Sequence, residues 1–237
     1  MSSPHAFSVN SIKQNPMQLN ATGILFFTCP RVPSGSSPDW EHYYSMTESI
    51  LSEVPRLLWY FFISALFALT EIEIEGRFGW AKHLPTAKDT KSFFASKILS
   101  KPFTMYHFLI FSIVFAGLHN FFFEGIQWTL NRELRTVSQW LIMIVTWDFL
   151  WFVFNPFYTW RGYRKDKLPW YSGAWFMRVS TDYYIALLFY FIFSLLGNEL
   201  YGGIFRFIFY LILTGISVLI APLYHRLYFH LRVHHPE

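Results

Sequence analysis

The sequence predicts an all-α fold: a polytopic transmembrane helix bundle of about five spans, with a disordered N-terminal leader and a short interfacial amphipathic helix. Three observations carry this. Hydrophobic residues make up 53% of the 237 residues and aromatics 22%. Only 14% are charged, against about 25% in an ordinary soluble domain. Five apolar stretches, 57–74, 104–123, 137–154, 182–196 and 204–223, hold only five charged residues: Glu71, Glu73, Asp148, Asp182 and Arg206. Runs that are apolar on every side suit helices in lipid, because a membrane β-strand alternates its faces. The same composition argues against a disordered chain and a nucleic-acid-binding domain. A single cysteine, Cys29, excludes an internal disulfide framework and a cysteine zinc site.

Residues 1–46 read as the leader and 47–237 as the transmembrane domain. The leader carries Pro4, Pro16, Pro30, Pro33 and Pro38 with Ser34-Gly35-Ser36-Ser37 between them, and its apolar run 23–27 is too short to span. It is also a poor signal peptide, and Met46 is an alternative start. Thr47 and Glu48 give the first helix-start signal. Between the first two spans, Phe94, Ala95, Ile98 and Leu99 fall on one helical face, opposite Ser96, Lys97, Ser100 and Lys101. This pattern predicts a basic helix on the anionic inner leaflet, with Lys88, Lys91, Lys97 and Lys101 as the contacts. The partner expected is the bilayer, not nucleic acid. Of the basic residues outside the spans, five lie on the side of the N-terminus and 13 on the other. The positive-inside rule then places the N-terminus outside and the C-terminus in the cytoplasm.

Ionisable groups inside a membrane helix are expensive and mark candidate sites. In the five-span topology most of them gather in the inner leaflet. Asp148 lies six residues before the end of its span, about 9 Å deep, with Trp151 and Asn155 on its face. Asn155 precedes Pro156, which ends the helix there. Glu71 and Glu75 share a face and Glu73 points elsewhere. Glu71 and Glu73 lie close enough to the boundary to meet water. His107 opens the second span at the same level. The candidate catalytic residues are therefore Asp148 and Glu75 as acid and base, with His107 and Asn155 orienting a substrate. A structural carboxylate is the even alternative for Asp148. In the fifth span Gly203, Arg206, Tyr210, Thr214, Ser217, Ala221 and His225 form a stripe of the kind that packs helices together, and Arg206 has Glu133 and Glu199 as available partners.

The tail carries His225, His230, His234 and His235. Its His-x3-His-His pattern matches one histidine box of the membrane di-iron desaturases and hydroxylases, which need several, so that assignment is rejected. His230 and His234 could hold a metal only adventitiously, and no cofactor is specified.

Two segments, 75–86 (Glu75-Gly76-Arg77-Phe78-Gly79-Trp80-Ala81 with Leu84-Pro85-Thr86) and 148–156 (Asp148-Phe149-Leu150-Trp151-Phe152-Val153-Phe154-Asn155-Pro156), resemble a set of small multi-span membrane proteins, mostly prokaryotic and of no known activity. The resemblance implies a membrane protein and no reaction. It also implies a histidine after the Trp170-Tyr171 pair, where this chain has Ser172. Three functional readings follow from the residues. One is a membrane-embedded enzyme acting on a lipid or amphiphile at the cytoplasmic leaflet. The others are a small proton-coupled carrier using Asp148 and a non-catalytic accessory or assembly subunit. Polar groups clustered on one side favour the enzyme over the carrier.

Overall fold

The computed structural model describes residues 38–89, 102–158, 160–163, 168, 175–177 and 179–233. The chain divides into two units, Met1–Met46 and Thr47–Glu237. The amphipathic helix expected over 92–101, Ser172, and the leader up to residue 37 lie outside the described residues. Five α-helices are described: α1 (Pro38–Glu75), α2 (Met105–Leu118), α3 (Leu130–Phe154), α4 (Thr181–Leu196) and α5 (Leu200–Val233). Helix α1 opens on Pro38, inside the stretch expected as leader; proline suits the first turn because its missing N–H would have no helical partner there.

Four helices are long and apolar enough to cross a membrane: Ser52–Glu75 within α1, Met105–Phe122, Leu130–Phe154 and Leu200–Arg232. The 16 residues of α4 rise about 24 Å, short of a hydrocarbon core of about 30 Å. Three helices outrun the apolar stretches that predict them, α1 by starting 19 residues before Leu57. Helix α3 starts seven residues earlier, where Thr129 caps it by accepting the Arg132 N–H. Helix α5 continues ten residues past Leu223 and contains Pro222. Two short antiparallel strand pairs stand beside the helix starts: β1 (Lys88–Asp89) with β2 (Phe103–Thr104), and β3 (Trp175–Phe176) with β4 (Val179–Ser180).

Helix α3 is the centre of the bundle. Of its span 56% is buried, against 28%, 22% and 11% in α1, α5 and α2. Its buried residues include Ile142, Met143, Trp147, Leu150, Phe152 and Val153. Phe67 of α1 stacks on Trp147 with centroids 4.8 Å apart, and Phe111 of α2 meets the same ring edge-on at 5.1 Å. The predicted stripe on α5 faces inward: Arg206, Tyr210, Ser217 and Ala221 are buried, and Gln139 of α3 donates to the Tyr210 hydroxyl at 2.7 Å. Below Pro222, His225 Nε2 lies 3.1 Å from the Val153 carbonyl.

Polar contacts fix the helices in alternating directions. At one end Arg135 bridges Glu53 of α1 and Glu199 before α5, the latter at 2.8 Å. Arg206, only 1% exposed, reaches Glu199 at 3.0 Å and Glu53 at 3.9 Å. Of its two expected partners, Glu199 is the one used; Glu133 instead accepts from Trp128 at 3.1 Å and pairs with His119 at 3.1 Å. The three-residue link 197–199 brings α4 and α5 so close that a Cβ on Gly203 would sit 2.8 Å from Ser194. At the opposite end gather the C-terminal parts of α1, α3 and α5 and the N-terminal parts of α2 and α4.

Arg206 is the buried member of this network, whereas Glu53 and Glu199 are partly exposed and keep Arg135. Arg206→Met removes charged hydrogen bonding at a buried position and should lower stability in detergent by about 1–3 kcal/mol. Arg56→Met, at an exposed pair with Glu53, should cost about 0–1 kcal/mol. Denaturant unfolding of the two variants followed by circular dichroism checks the contrast.

Candidate functional site

The site begins with a turn after α1. Gly76 has φ 59°, and Gly79, Trp80 and Ala81 follow at 55°, 48° and 50°. Glycine adopts this left-handed backbone freely, whereas residues with a Cβ pay about 1–2 kcal/mol each. Two side-chain contacts hold the turn against that strain. The Ala81 N–H donates to Glu75 Oε1, and Trp80 Nε1 donates to the Pro102 carbonyl at 2.6 Å. The Trp80 ring then stacks on His107, centroids 3.9 Å apart and nearly parallel.

His107 is positioned from the start of α2. Strand β2 ends at Thr104, which caps the helix by accepting the His107 N–H at 3.2 Å. Thr104 Oγ1 also lies 2.5 Å from His107 Nδ1. The carboxylates that face Nε2 favour the tautomer with its ring proton there, and in that tautomer Nδ1 accepts from the Thr104 hydroxyl. Nε2 faces two carboxylates from α1, Glu75 Oε1 at 3.5 Å and Glu71 Oε1 at 3.8 Å. All three side chains are buried. The Trp147 indole donates to Glu71 Oε2 at 2.8 Å. Of the two glutamates expected near the boundary, Glu73 is exposed and pairs with Arg232 at 2.5 Å. Glu71 is buried, because one helical turn separates it from Glu75 and turns both toward α2 and α3.

Asp148 projects from α3 on the other side of Trp147 and accepts the Tyr183 hydroxyl of α4. Beside it, Tyr163 accepts the Ser180 N–H at 3.3 Å. Burial, and then the Asp148 carboxylate, push the Tyr163 phenol well above its ordinary range. It is therefore a neutral hydroxyl across the physiological pH range. Asp182, at the first turn of α4, accepts the Ser180 hydroxyl.

One cavity of about 760 Å³ joins these groups, within the range of ligand pockets. Helices α2, α3 and α4 wall it. Its polar end carries Thr104, His107, Asp148, Asp182 and Tyr183. The rest is apolar and runs along α2 as far as Phe115 and along α3 as far as Val137. Eleven helical rises along α2 (104–115) and along α3 (137–148) make it about 16 Å long, roughly half a hydrocarbon core. Phe108 on α2 and Phe189 on α4 are both about half exposed at its side.

Of the four candidate residues, Asp148 and His107 line this cavity, and Glu75 stands directly behind His107. Asn155 does not line it. It is fully buried at the end of α3, donates to the Gly76 carbonyl at 3.0 Å and accepts the Phe157 N–H at 3.0 Å. It thus ties the end of α3 to the turn that carries Trp80 and Ala81. Sequence reasoning passed over Thr104, Trp147 and Tyr183. The signal for Thr104 was a capping residue three positions before a histidine, which the smooth apolar run 104–123 masked. Among the described residues no group of three histidine, cysteine, aspartate or glutamate side chains is arranged to hold a metal ion. His230 belongs to α5, and His234 lies outside the described residues.

No family profile, curated protein or solved structure matches the chain.

Asn155 and Asp148 should respond differently to substitution. Asn155→Ala removes both side-chain hydrogen bonds at a fully buried position and should lower stability by about 1–3 kcal/mol. Asp148→Asn leaves an amide oxygen for the Tyr183 hydroxyl and should change stability by less than about 1 kcal/mol. Thermal melting of the purified variants in one detergent reads both.

Proposed function

We propose that the protein is a membrane-embedded enzyme that draws the chain of a lipid or other amphiphile into the α2–α3–α4 cavity and carries out proton-transfer chemistry at its polar end. The observation that carries this reading is the cavity itself. An apolar channel the length of one leaflet ends on a carboxylate, Asp148, and on an imidazole backed by two buried glutamates. Apolar walls would hold an alkyl chain, and the polar end would meet the group where chain and head join. A histidine whose two nitrogens are fixed by a hydroxyl and by carboxylates is poised to exchange protons. Asp148 would be the second acid–base group, held by Tyr183 on the opposite wall.

The membrane setting completes the proposal. All five described helices cross the bilayer, with the N-terminus outside and the C-terminus cytoplasmic. Local thinning accommodates the short α4. The alternating contacts at the two ends of the bundle support an odd number of crossings, and the excess of basic residues beside the cavity's polar end supports the orientation. The reacting groups then lie in the inner leaflet, near the lysines expected to meet anionic headgroups. The carrier reading has less support. Between Val137 and Asp148 the face of α3 that lines the cavity is apolar, Trp140, Leu141, Ile144 and Val145, which suits a chain-binding wall better than a proton path.

Mass spectrometry of membrane lipids from cells making the wild type, Asp148→Asn or Ala186→Phe tests the reading. The wild type should convert at least one amphiphile. Asp148→Asn should lose that conversion by about 10²–10⁴-fold, and Ala186→Phe, which fills the cavity between polar end and apolar run, should lose it as well. Identical lipid profiles in all three would refute an enzymatic role. Cysteine accessibility at both termini checks the topology, and a common side for the two ends would exclude five crossings.

A further inference from the structure

We propose that Thr104 is a hydroxyl nucleophile, activated by His107 with Glu75 behind it, that takes the acyl group from an ester-linked amphiphile seated in the cavity. This deepens the reading above and rests on it. Both ring nitrogens of His107 are engaged, Nδ1 by Thr104 Oγ1 at 2.5 Å and Nε2 by the glutamates at 3.5 and 3.8 Å. Thr104 and His107 both line the polar end of the cavity, and both are buried there. The order hydroxyl, imidazole, carboxylate is that of a nucleophile, its base and the group that orients the base. Thr104 also occupies a strand-to-helix turn, between β2 and α2, the placement that presents a nucleophile at the head of a helix.

The step balances without any further redox partner. Thr104 Oγ1 attacks the ester carbonyl carbon as its proton passes to His107 Nδ1. The carbon–oxygen bond to the head alcohol breaks, and the proton on His107 leaves with that alcohol. Water, deprotonated by the same imidazole, then releases the carboxylic acid and restores the threonine. The Met105 and Tyr106 N–H groups are already bonded to the Ala87 carbonyl and to Thr86 Oγ1, each at 3.0 Å. The oxyanion is therefore met from the other wall, where the Tyr183 O–H would have to leave the Asp148 carboxylate to which it donates.

The test treats the full chain in detergent with two probes, a long-chain alkyl fluorophosphonate and a diazirine-bearing fatty alcohol. Peptide mass spectrometry locates the adducts. The expected result is phosphonylation of Thr104 in the wild type and in Thr104→Ser. Thr104→Asn keeps a good helix cap but has no hydroxyl; it should fold, melt like the wild type and stay unmodified at residue 104. His107→Gln should slow the labelling by about 10²–10⁴-fold. Photo-adducts on cavity residues with an unmodified Thr104 in the wild type would overturn the nucleophile and leave the amphiphile site standing. Modification of Ser112 or Tyr183 in place of Thr104 would overturn it equally. Absence of both adduct types would overturn the nucleophile and the binding cavity together.

Discussion

Charge buried between helices in a membrane must find its partner within the protein, because no water is there to replace one. This chain meets that constraint at two levels of the bundle. Arg206 and Arg135 close a network with Glu53 and Glu199 at one end. Glu71, Glu75 and His107 close another at the opposite end, supported by Trp147 and the Ala81 N–H. Each network draws on at least two elements distant in sequence, so satisfying the charges also sets helix direction and register. The apolar faces alone would not do so, since lipid tails are as apolar as the packed side chains and offer little preference between orientations.

The central place of α3 follows from the same constraint. It supplies a polar group to each level, Arg135 to one and Trp147 to the other, and its apolar middle packs on α1, α2, α4 and α5. Asp148 and Trp147 are adjacent in sequence and so diverge by about 100° around the helix. That angle divides the polar end in two. Trp147 points to the glutamates of α1, and Asp148 points to Tyr183 and the cavity. One helix turn thereby keeps the carboxylates behind His107 separate from the carboxylate facing the cavity.

Much of the architecture was legible in the sequence, and for a physical reason. Apolar runs between charged links are a one-dimensional signal, so the helices from Leu57 to Leu223 could be placed before any packing was known. Asn155-Pro156 announced the end of α3. The shared face of Glu71 and Glu75 was also legible, as a spacing of four. Their burial was not, since depth along a span does not tell which way a face turns. Thr104 and Tyr183 were hidden for another reason. A hydroxyl inside an aromatic stretch has no spacing to betray it, and the contacts with His107 and Asp148 exist only once the helices are packed. Asn155 shows the opposite case: its position beside Asp148 on one face suggested chemistry, whereas its amide is spent on the backbone of the neighbouring turn.

The cavity has its own explanation in the packing. Helix α2 is the least buried of the long helices and meets α3 chiefly through Phe111 and Trp140, whose indole donates to the Phe111 carbonyl at 3.1 Å. Helix α4 packs on α3 from the other side and is drawn toward α5 by the close approach at Gly203. With α2 held at one end by its cap and by the Trp80 stack, and α4 held by α5, the two helices stand apart over the apolar middle of α3. In a water-soluble protein such a gap would collapse or carry a large penalty for exposed apolar surface. In the bilayer setting proposed above, its open side would face hydrocarbon, and a lipid chain would fill it at little cost. The polar end is then the one part of the gap that hydrocarbon cannot satisfy, and it is there that Thr104, His107 and Asp148 converge.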